Sequence, residues 1–142
     1  SFPTRRSSDL RVLLCKRNIE PRKGKWTLPA GFMELGETTL QGAARETEEE
    51  AGARFEMEAL FSVLSVPRVG QVHLFYRARL LSEQFDPGYE TLEARLFTEA
   101  EIPWDEIAFR TIAITLRHFF EDRRRGEYRF HSEDLIAPPP RA

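Results

Sequence analysis

The sequence predicts an α/β fold, an α/β/α sandwich around a mixed β-sheet. Two observations support this prediction. Strand-like segments alternate along the chain with two stretches of helical periodicity. The chain has 142 residues, of which 41% are hydrophobic, and this is enough for one core. The predicted domain covers residues 11–130. Residues 131–142, which include a run of three prolines, are predicted to form an extended or flexible tail.

The first elements are short. Residues 11–16 are largely apolar and predict a strand, whereas residues 18–25 are polar and predict a loop. Residues 26–35 are expected to form a short extended piece. The first helix is predicted at residues 38–51, because Thr38 and Gln41 have the spacing of a capping box. Gly52 is a suitable C-terminal stop for this helix.

The second half of the chain predicts a hairpin and another helix. Residues 55–66 and 71–81 are predicted to form two long strands joined around a turn at residues 67–70. A further strand is expected at residues 93–97 and a helical turn at residues 103–107. Residues 110–125 then have helical periodicity that ends at Gly126.

Three acids of the first helix are predicted to share one face. At 100° per residue, Glu46, Glu49 and Glu50 fall within about 100° of one another. Carboxylates this close repel each other unless a cation lies between them, and Mg²⁺ prefers such oxygen ligands. A run of glutamates alone is also typical of a solvated helix face. The preceding Gly31, the distant Glu37 and the adjacent Arg45 favour a metal site, with Arg45 and Glu37 forming an ion pair between loop and helix.

From Gly31 to Ala53 the chain resembles the signature box of the Nudix hydrolases. The stretch from Gly24 to Phe32 is similar to the segment that leads into this box, and the resemblance extends over about residues 12–120. Two residues depart from the pattern, since Thr47 and Ala53 stand where bulkier aliphatic residues are usual. The resemblance implies a Nudix-type sandwich and metal-dependent hydrolysis of a nucleoside diphosphate linked to another moiety, by in-line attack of water on phosphorus.

The resemblance also implies roles for individual residues. Glu46, Glu49, Glu50 and the backbone carbonyl of Ala30 match metal ligands, for Mg²⁺ or alternatively Mn²⁺. Glu46 or Glu49 is expected to help deprotonate the attacking water. A further catalytic acid is expected after the hairpin, with Glu93 as first choice and Glu90 as second. The residues expected to support the site are Gly31, Glu37, Arg45 and Gly52.

Within the superfamily, the chain resembles bacterial ADP-ribose and FAD pyrophosphatases, many of which carry an N-terminal zinc ribbon. The expected substrate is therefore ADP-ribose, FAD or a related dinucleotide. A sanitising nucleoside triphosphate pyrophosphatase and a noncatalytic nucleotide-sensing module remain alternatives. Candidate substrate-binding residues, each also typical of a surface charge or a packed aromatic, are Arg17, Lys25, Phe32, Arg68 and Tyr76.

Composition limits the partners. A formal net charge of −2, from 21 basic and 23 acidic residues, predicts no binding to nucleic acid or to anionic membranes. No apolar run reaches the roughly 20 residues that span a bilayer. The single cysteine, Cys15, is predicted to be a buried small hydrophobe, which suits a reducing cytoplasm. Many relatives are homodimers, so the resemblance allows a homodimer.

The first ten residues have an unusual sequence. Residues 1–10 resemble the conceptual translation of a common sequencing adapter, and we interpret them as a non-native segment. The paired cysteines of a zinc ribbon are absent from this chain. Either the chain belongs to a branch without the ribbon, or the adapter junction removed it. The source nucleotides would decide, because codons that do not match the adapter would refute this interpretation.

Overall fold

The computed structural model describes residues 10–136, in which two helices pack with two three-stranded sheets. This confirms the predicted α/β class. The helices and strands are β1 (Arg11–Arg17), β2 (Trp26–Thr27), α1 (Thr39–Ala51), β3 (Phe55–Val66), β4 (Gln71–Leu80), β5 (Thr91–Thr98), α2 (Arg110–Arg125) and β6 (His131–Asp134). Short 3₁₀ turns occur at Pro67–Val69, Glu99–Glu101 and Trp104–Glu106.

The strands pair in two separate groups. The first sheet has the order β2-β1-β5, with both pairs antiparallel. The second has the order β4-β3-β6, in which β3 and β4 form the predicted antiparallel hairpin and β6 runs parallel to β3. The second sheet is therefore mixed. Strand β6 lies in the segment predicted to be an extended or flexible tail, and the remaining tail residues, 137–142, lie outside the described residues.

Helix α1 begins and ends as its local sequence predicts. The Thr38 hydroxyl accepts a hydrogen bond from the Gln41 N–H, and the Gln41 side chain accepts one from the Thr38 N–H. At the other end Gly52 adopts a left-handed conformation, with φ 59°, and donates its N–H to the Glu48 carbonyl. The prediction of an extended piece at residues 26–35 was too long, because only Trp26–Thr27 pair with β1.

Each helix covers its own part of the core. Under α1, Ala51 packs with Leu13 and Cys15 of β1. Cys15 is buried, as predicted, and burial together with the nearby Glu50 charge raises the pKa of its thiol to about 12. Under α2 the core is larger and consists of Leu14, Trp26, Phe97, Ile102, Ile112, Leu116 and Phe120. In the described part of the chain, no helix is long and apolar enough to cross a membrane.

A buried carboxylate attaches β6 to α2. Asp122 is only 1% exposed, and it accepts the Arg129 N–H at 2.8 Å while His131 Nε2 lies 2.7 Å away. Burial alone would raise the pKa of Asp122, but these hydrogen bonds outweigh burial and lower it. The imidazole rings of His118 and His131 are stacked, with their centroids 3.9 Å apart. Both rings therefore pack between α2 and β6.

We expect Asp122→Ala to lower the free energy of unfolding by about 1–3 kcal/mol, because the Arg129 N–H and the His131 ring lose a buried acceptor. A carboxyl whose pKa is lowered on folding contributes stability above its ordinary pKa of 3.8, and this contribution is lost as the pH falls through the folded value. Urea unfolding should therefore show a difference between wild type and variant that shrinks below pH 4. The control Glu121→Ala removes an exposed ion pair with Arg125 and should change stability by less than about 1 kcal/mol. Equal losses in both variants would contradict the prediction.

Candidate active site

Two of the predicted acids lie against the backbone of residues 30–31. The Ala30 N–H donates a hydrogen bond of 3.0 Å to Glu50 Oε2. The Glu46 carboxyl group packs so closely on Gly31 that a Cβ at that position would overlap it. Glycine is therefore required here by close approach and not by its backbone angles. The turn before the box and the acidic face of α1 thus form one unit.

Arg45 connects this unit to the loop. Its guanidinium donates two hydrogen bonds to the Glu37 carboxylate, at 2.8 and 3.1 Å. It also donates to Glu46 at 2.7 Å, to Glu49 at 3.3 Å and to the Phe32 carbonyl at 3.1 Å. The Arg45 bonds, followed by one from the Glu34 N–H, lower the pKa of Glu37 to about 2. The structure therefore contains the ion pair between loop and helix that the sequence predicted.

The pKa of Glu50 is shifted in the opposite direction from that of Glu37. Burial raises the pKa of Glu50 to about 7, the Ala30 N–H opposes this shift, and the charges of Glu46 and Glu90 add to it. The Arg17 charge acts in the opposite direction. Glu50, Glu90 and Arg17 line one small cleft beside β1. This cleft combines negative charge that a cation would neutralise with a basic group suited to an anion.

The structure brings Glu90, and not Glu93, close to Glu50. On β5, Ala94 and Leu96 pack against the core under α1, whereas Phe97 belongs to the core under α2. Because side chains alternate along a strand, Glu93 shares the face of Phe97, and it lies 4.0 Å from Arg95. The geometry thus favours the second choice of catalytic acid over the first.

A glycine before β5 explains the position of Glu90. A Cβ at Gly88 would overlap the Glu49 carbonyl oxygen, and one at Gly52 would overlap the Asp86 carbonyl oxygen. The segment 86–90 therefore packs on the C-terminal end of α1, next to the acids. Gly88 was the one feature of the sequence that could have indicated the position of Glu90. Its role cannot be recognised without the contact that it makes with Glu49, which is distant in sequence.

The candidate substrate residues fall into separate groups. Arg17 lies in the cleft with Glu50, and Phe32 follows Gly31 with 79% of its surface exposed. Lys25 forms an ion pair with Glu106 at 2.9 Å. The Tyr76 hydroxyl is hydrogen-bonded at 2.6 Å to Thr39, so it holds the start of α1. Arg68 lies in the exposed turn at the tip of the β3–β4 hairpin. Only Arg17 and Phe32 directly adjoin the acidic site.

The donor chemistry of the site suits a hard divalent ion. Glu46, Glu49, Glu50 and the Ala30 carbonyl offer only oxygen, the ligand type that Mg²⁺ and Mn²⁺ accept. Burial raises the pKa of Glu50, and the negative charges of Glu46 and Glu90, which such an ion would offset, raise it further. Within residues 10–136, no three acidic, histidine or cysteine side chains form a preassembled metal-binding group. Arg45 instead holds Glu46 and Glu49.

Comparison with known proteins gives the family. The model of the NUDIX domain matches residues 3–122. The chain belongs to the Nudix family. Its fold is also similar to that of a Nudix hydrolase from Nitrosomonas europaea, with a TM-score of 0.85 and 55% identity over 88% of this chain and 71% of that one. Nudix membership thus agrees with the box that the sequence displays.

Two of the similar proteins are named for an activity. The ADP-ribose pyrophosphatase of Methanocaldococcus jannaschii is 31% identical over 99 residues, which cover 67% of this chain and 59% of that protein. The human 8-oxo-dGDP phosphatase NUDT18 is 48% identical over 52 residues, which cover 37% of this chain and 16% of that protein. This Nudix chain therefore spans less than two thirds of the length of these relatives.

The contact between Gly31 and Glu46 can be tested directly. We expect Gly31→Ala to displace the Glu46 carboxylate and to lower metal affinity or activity about 10–100-fold, the usual effect of disturbing the support of a metal ligand. Adding Glu46→Asp shortens the acid and should recover part of the loss. Metal titration and steady-state kinetics would measure both effects. Wild-type behaviour of Gly31→Ala would contradict the close approach seen here.

Proposed function

We propose that this chain hydrolyses the diphosphate bond of a nucleoside diphosphate linked to another moiety, with ADP-ribose, FAD or a related dinucleotide as substrate. The observation that carries the proposal is the placement of Glu46 and Glu50 around the Ala30–Gly31 backbone, with Arg45 bracing the loop. Nudix membership supports the reaction class. The similarity to the ADP-ribose pyrophosphatase of Methanocaldococcus jannaschii supports ADP-ribose.

We assign a separate role in the reaction to each residue of the site. Mg²⁺, or Mn²⁺, when bound supplies activation of water and neutralisation of phosphate charge. Glu46, Glu49, Glu50 and the Ala30 carbonyl would hold the ion. Glu49 has 58% of its side chain exposed, so it can take a proton from a water at the surface of the cleft. Arg17 would offset the charge that builds on the phosphates during in-line attack.

Phe32 is the candidate that we assign to the nucleotide base or flavin. Its carbonyl accepts a hydrogen bond from Arg45, which fixes its backbone beside the acids. Its ring is exposed and free to stack on an aromatic ligand. Tyr76 is a weaker candidate, because its hydroxyl already bonds Thr39.

Substrate profiling tests this function. The protein is incubated with Mg²⁺ and each of ADP-ribose, FAD, NADH and nucleoside triphosphates, and the products are separated by chromatography. We expect AMP and the other phosphorylated half from a dinucleotide. EDTA should abolish this activity and excess Mg²⁺ should restore it.

Other results of this profiling would favour one of the two alternative functions. Release of pyrophosphate from nucleoside triphosphates alone would favour the sanitising activity. No cleavage of any compound would refute both enzyme activities. Calorimetric binding of ADP-ribose without cleavage would then support the sensing module.

A further inference from the structure

The guanidinium of Arg17 is held in a fixed orientation beside the acids. Among the described residues that line the cleft with Glu50 and Glu90, Arg17 is the only basic one. Its Nε donates a hydrogen bond of 2.8 Å to the Pro21 carbonyl. The guanidinium also lies over the ring of Phe109, with its central carbon 5.1 Å from the ring centroid, which is within the range of a cation–π contact. The protein thus occupies one edge and one face of this group.

The two terminal nitrogens of Arg17 remain available to a ligand. Within residues 10–136, neither Nη1 nor Nη2 donates a hydrogen bond or forms an ion pair. Both atoms are accessible to solvent, since no buried side-chain nitrogen in this part of the chain lacks a partner. A guanidinium presents parallel N–H groups that match two oxygens of a phosphate. Arg17 can therefore bind two phosphate oxygens through its Nη atoms while its Nε stays bonded to Pro21.

Phe109 is held in place by backbone contacts that do not involve its ring. The preceding residue, Ala108, donates its N–H to the Trp26 carbonyl at 2.8 Å. Phe109 is the residue before α2, and its own carbonyl accepts the Ile112 N–H at 3.1 Å. Its side chain is half-buried and also packs against the core under α2. The backbone is therefore fixed by bonds that another apolar side chain would leave in place, and the ring is free to serve Arg17.

We propose that Phe109 is a positioning residue of the active site, whose ring holds the Arg17 guanidinium so that its two Nη atoms bind a pair of diphosphate oxygens. This inference rests on the proposed hydrolysis of a nucleoside diphosphate derivative. An arginine side chain loses conformational entropy when it binds a ligand, and a ring that orders it beforehand removes part of this cost. Phe109 does not itself line the cleft, so it acts on substrate affinity through Arg17.

A second arginine stack on the same core provides a matched control. Arg117 lies over the ring of Trp104, with its central carbon 4.2 Å from the ring centroid. Trp104, like Phe109, is half-buried and packs against the core under α2. Neither Trp104 nor Arg117 lines the cleft. Trp104→Leu therefore removes an aromatic ring and an arginine stack of the same kind, outside the cleft.

The first experiment measures affinity for a diphosphate without any cleavage. Inorganic pyrophosphate is titrated calorimetrically, in a buffer with Mg²⁺, into wild type, Phe109→Leu, Phe109→Tyr and Trp104→Leu. We expect Phe109→Leu to raise the Kd about 3–10-fold, the loss of one cation–π contact. Phe109→Tyr keeps the ring and should restore most of the affinity, and Trp104→Leu should bind as wild type does, although both leucine variants should have a lower Tm. No binding by wild type, unchanged binding by Phe109→Leu, or an equal loss in Trp104→Leu would overturn the proposal.

A double-mutant cycle shows whether Phe109 acts through Arg17. Arg17→Ala should raise the Kd for pyrophosphate at least about tenfold, because charge-assisted hydrogen bonds are lost. Adding Phe109→Leu to this variant should raise the Kd no further, since the ring then has no guanidinium to hold. Losses that multiply would overturn the proposal, because the ring would then act on the fold alone. Phe109→Met replaces Phe109→Leu in both experiments if the leucine variant does not fold.

Steady-state kinetics separate this inference from the proposed function. With ADP-ribose, Phe109→Leu should raise KM about 3–10-fold and leave kcat within about twofold, because the Arg17 charge remains and only its orientation is lost. If wild type cleaves no dinucleotide but pyrophosphate binding changes as expected, the hydrolytic function fails and the positioning of Arg17 stands. If wild type cleaves ADP-ribose and Phe109→Leu lowers kcat at an unchanged KM, the function stands and the positioning role is overturned.

Discussion

We expect Glu49→Gln to lower kcat by at least about a hundredfold, because the variant loses a negative oxygen ligand and a proton acceptor at the same position. The fold should be unaffected, since 58% of the Glu49 side chain is exposed and its one close partner, Arg45, is 3.3 Å away. Steady-state kinetics with Mg²⁺ and ADP-ribose, together with thermal unfolding, would show low turnover at an unchanged Tm.

Glu48→Gln is the matched control for this variant. Glu48 is the adjacent exposed residue of α1 and carries the same charge, but it lies outside the arc of the three predicted ligands. It should keep at least about half of the wild-type kcat, as for a surface substitution away from the site. If Glu49→Gln retained full activity, Glu49 would be neither ligand nor base. Equal losses in the two variants would instead indicate a general effect of helix charge.

The second large effect is expected at Arg45. Arg45→Ala should lower both the Tm and the activity, the latter about 10–100-fold, because four groups lose their common donor. These groups are Glu37, Glu46, Glu49 and the Phe32 carbonyl. Arg45→Lys should rescue little, since an ammonium cannot bond both oxygens of Glu37 in the same fork and still reach the other groups. Thermal unfolding and kinetics of both variants would measure this.

The pH dependence distinguishes the ion pair from simple packing. The folded state lowers the pKa of Glu37 from 4.5 to about 2, so the stabilisation by its pair with Arg45 is complete above pH 4.5. It is lost as the pH falls towards 2, and wild type and Arg45→Ala should converge there. Arg79→Lys, which alters an exposed ion pair with Glu56, should change neither activity nor its pH profile. A gap in Tm that persists at pH 2 would contradict the electrostatic explanation.

Features encoded within a few residues were predictable. The capping box of Thr38 and Gln41 and the stop at Gly52 fix α1 by contacts inside one turn of chain, so its bounds followed from the sequence. The hairpin around residues 67–70 and the end of α2 at Gly126 are local in the same sense. The three acids share one helix, and their common face follows from helical geometry alone.

Contacts between distant segments were not predictable in this way. Glu93 was the first choice of catalytic acid and Glu90 the second, and the strand was expected to begin at residue 93, whereas β5 begins at Thr91. Which acid reaches Glu50 depends on the packing of Gly88 against Glu49. Strand β6 was not expected, since a four-residue polar strand has little pattern of its own and is fixed by Asp122 and by pairing with β3.

The sequence by itself determined the acidic helix, its glycine-led loop and the Nudix family, because these depend on short-range spacing. Only the tertiary structure decided that Glu90 joins Glu50 and that Arg45 links four groups. The physical reason is the same in each case. Burial and charge coupling arise where segments far apart in sequence meet, and no local pattern records which segments those are.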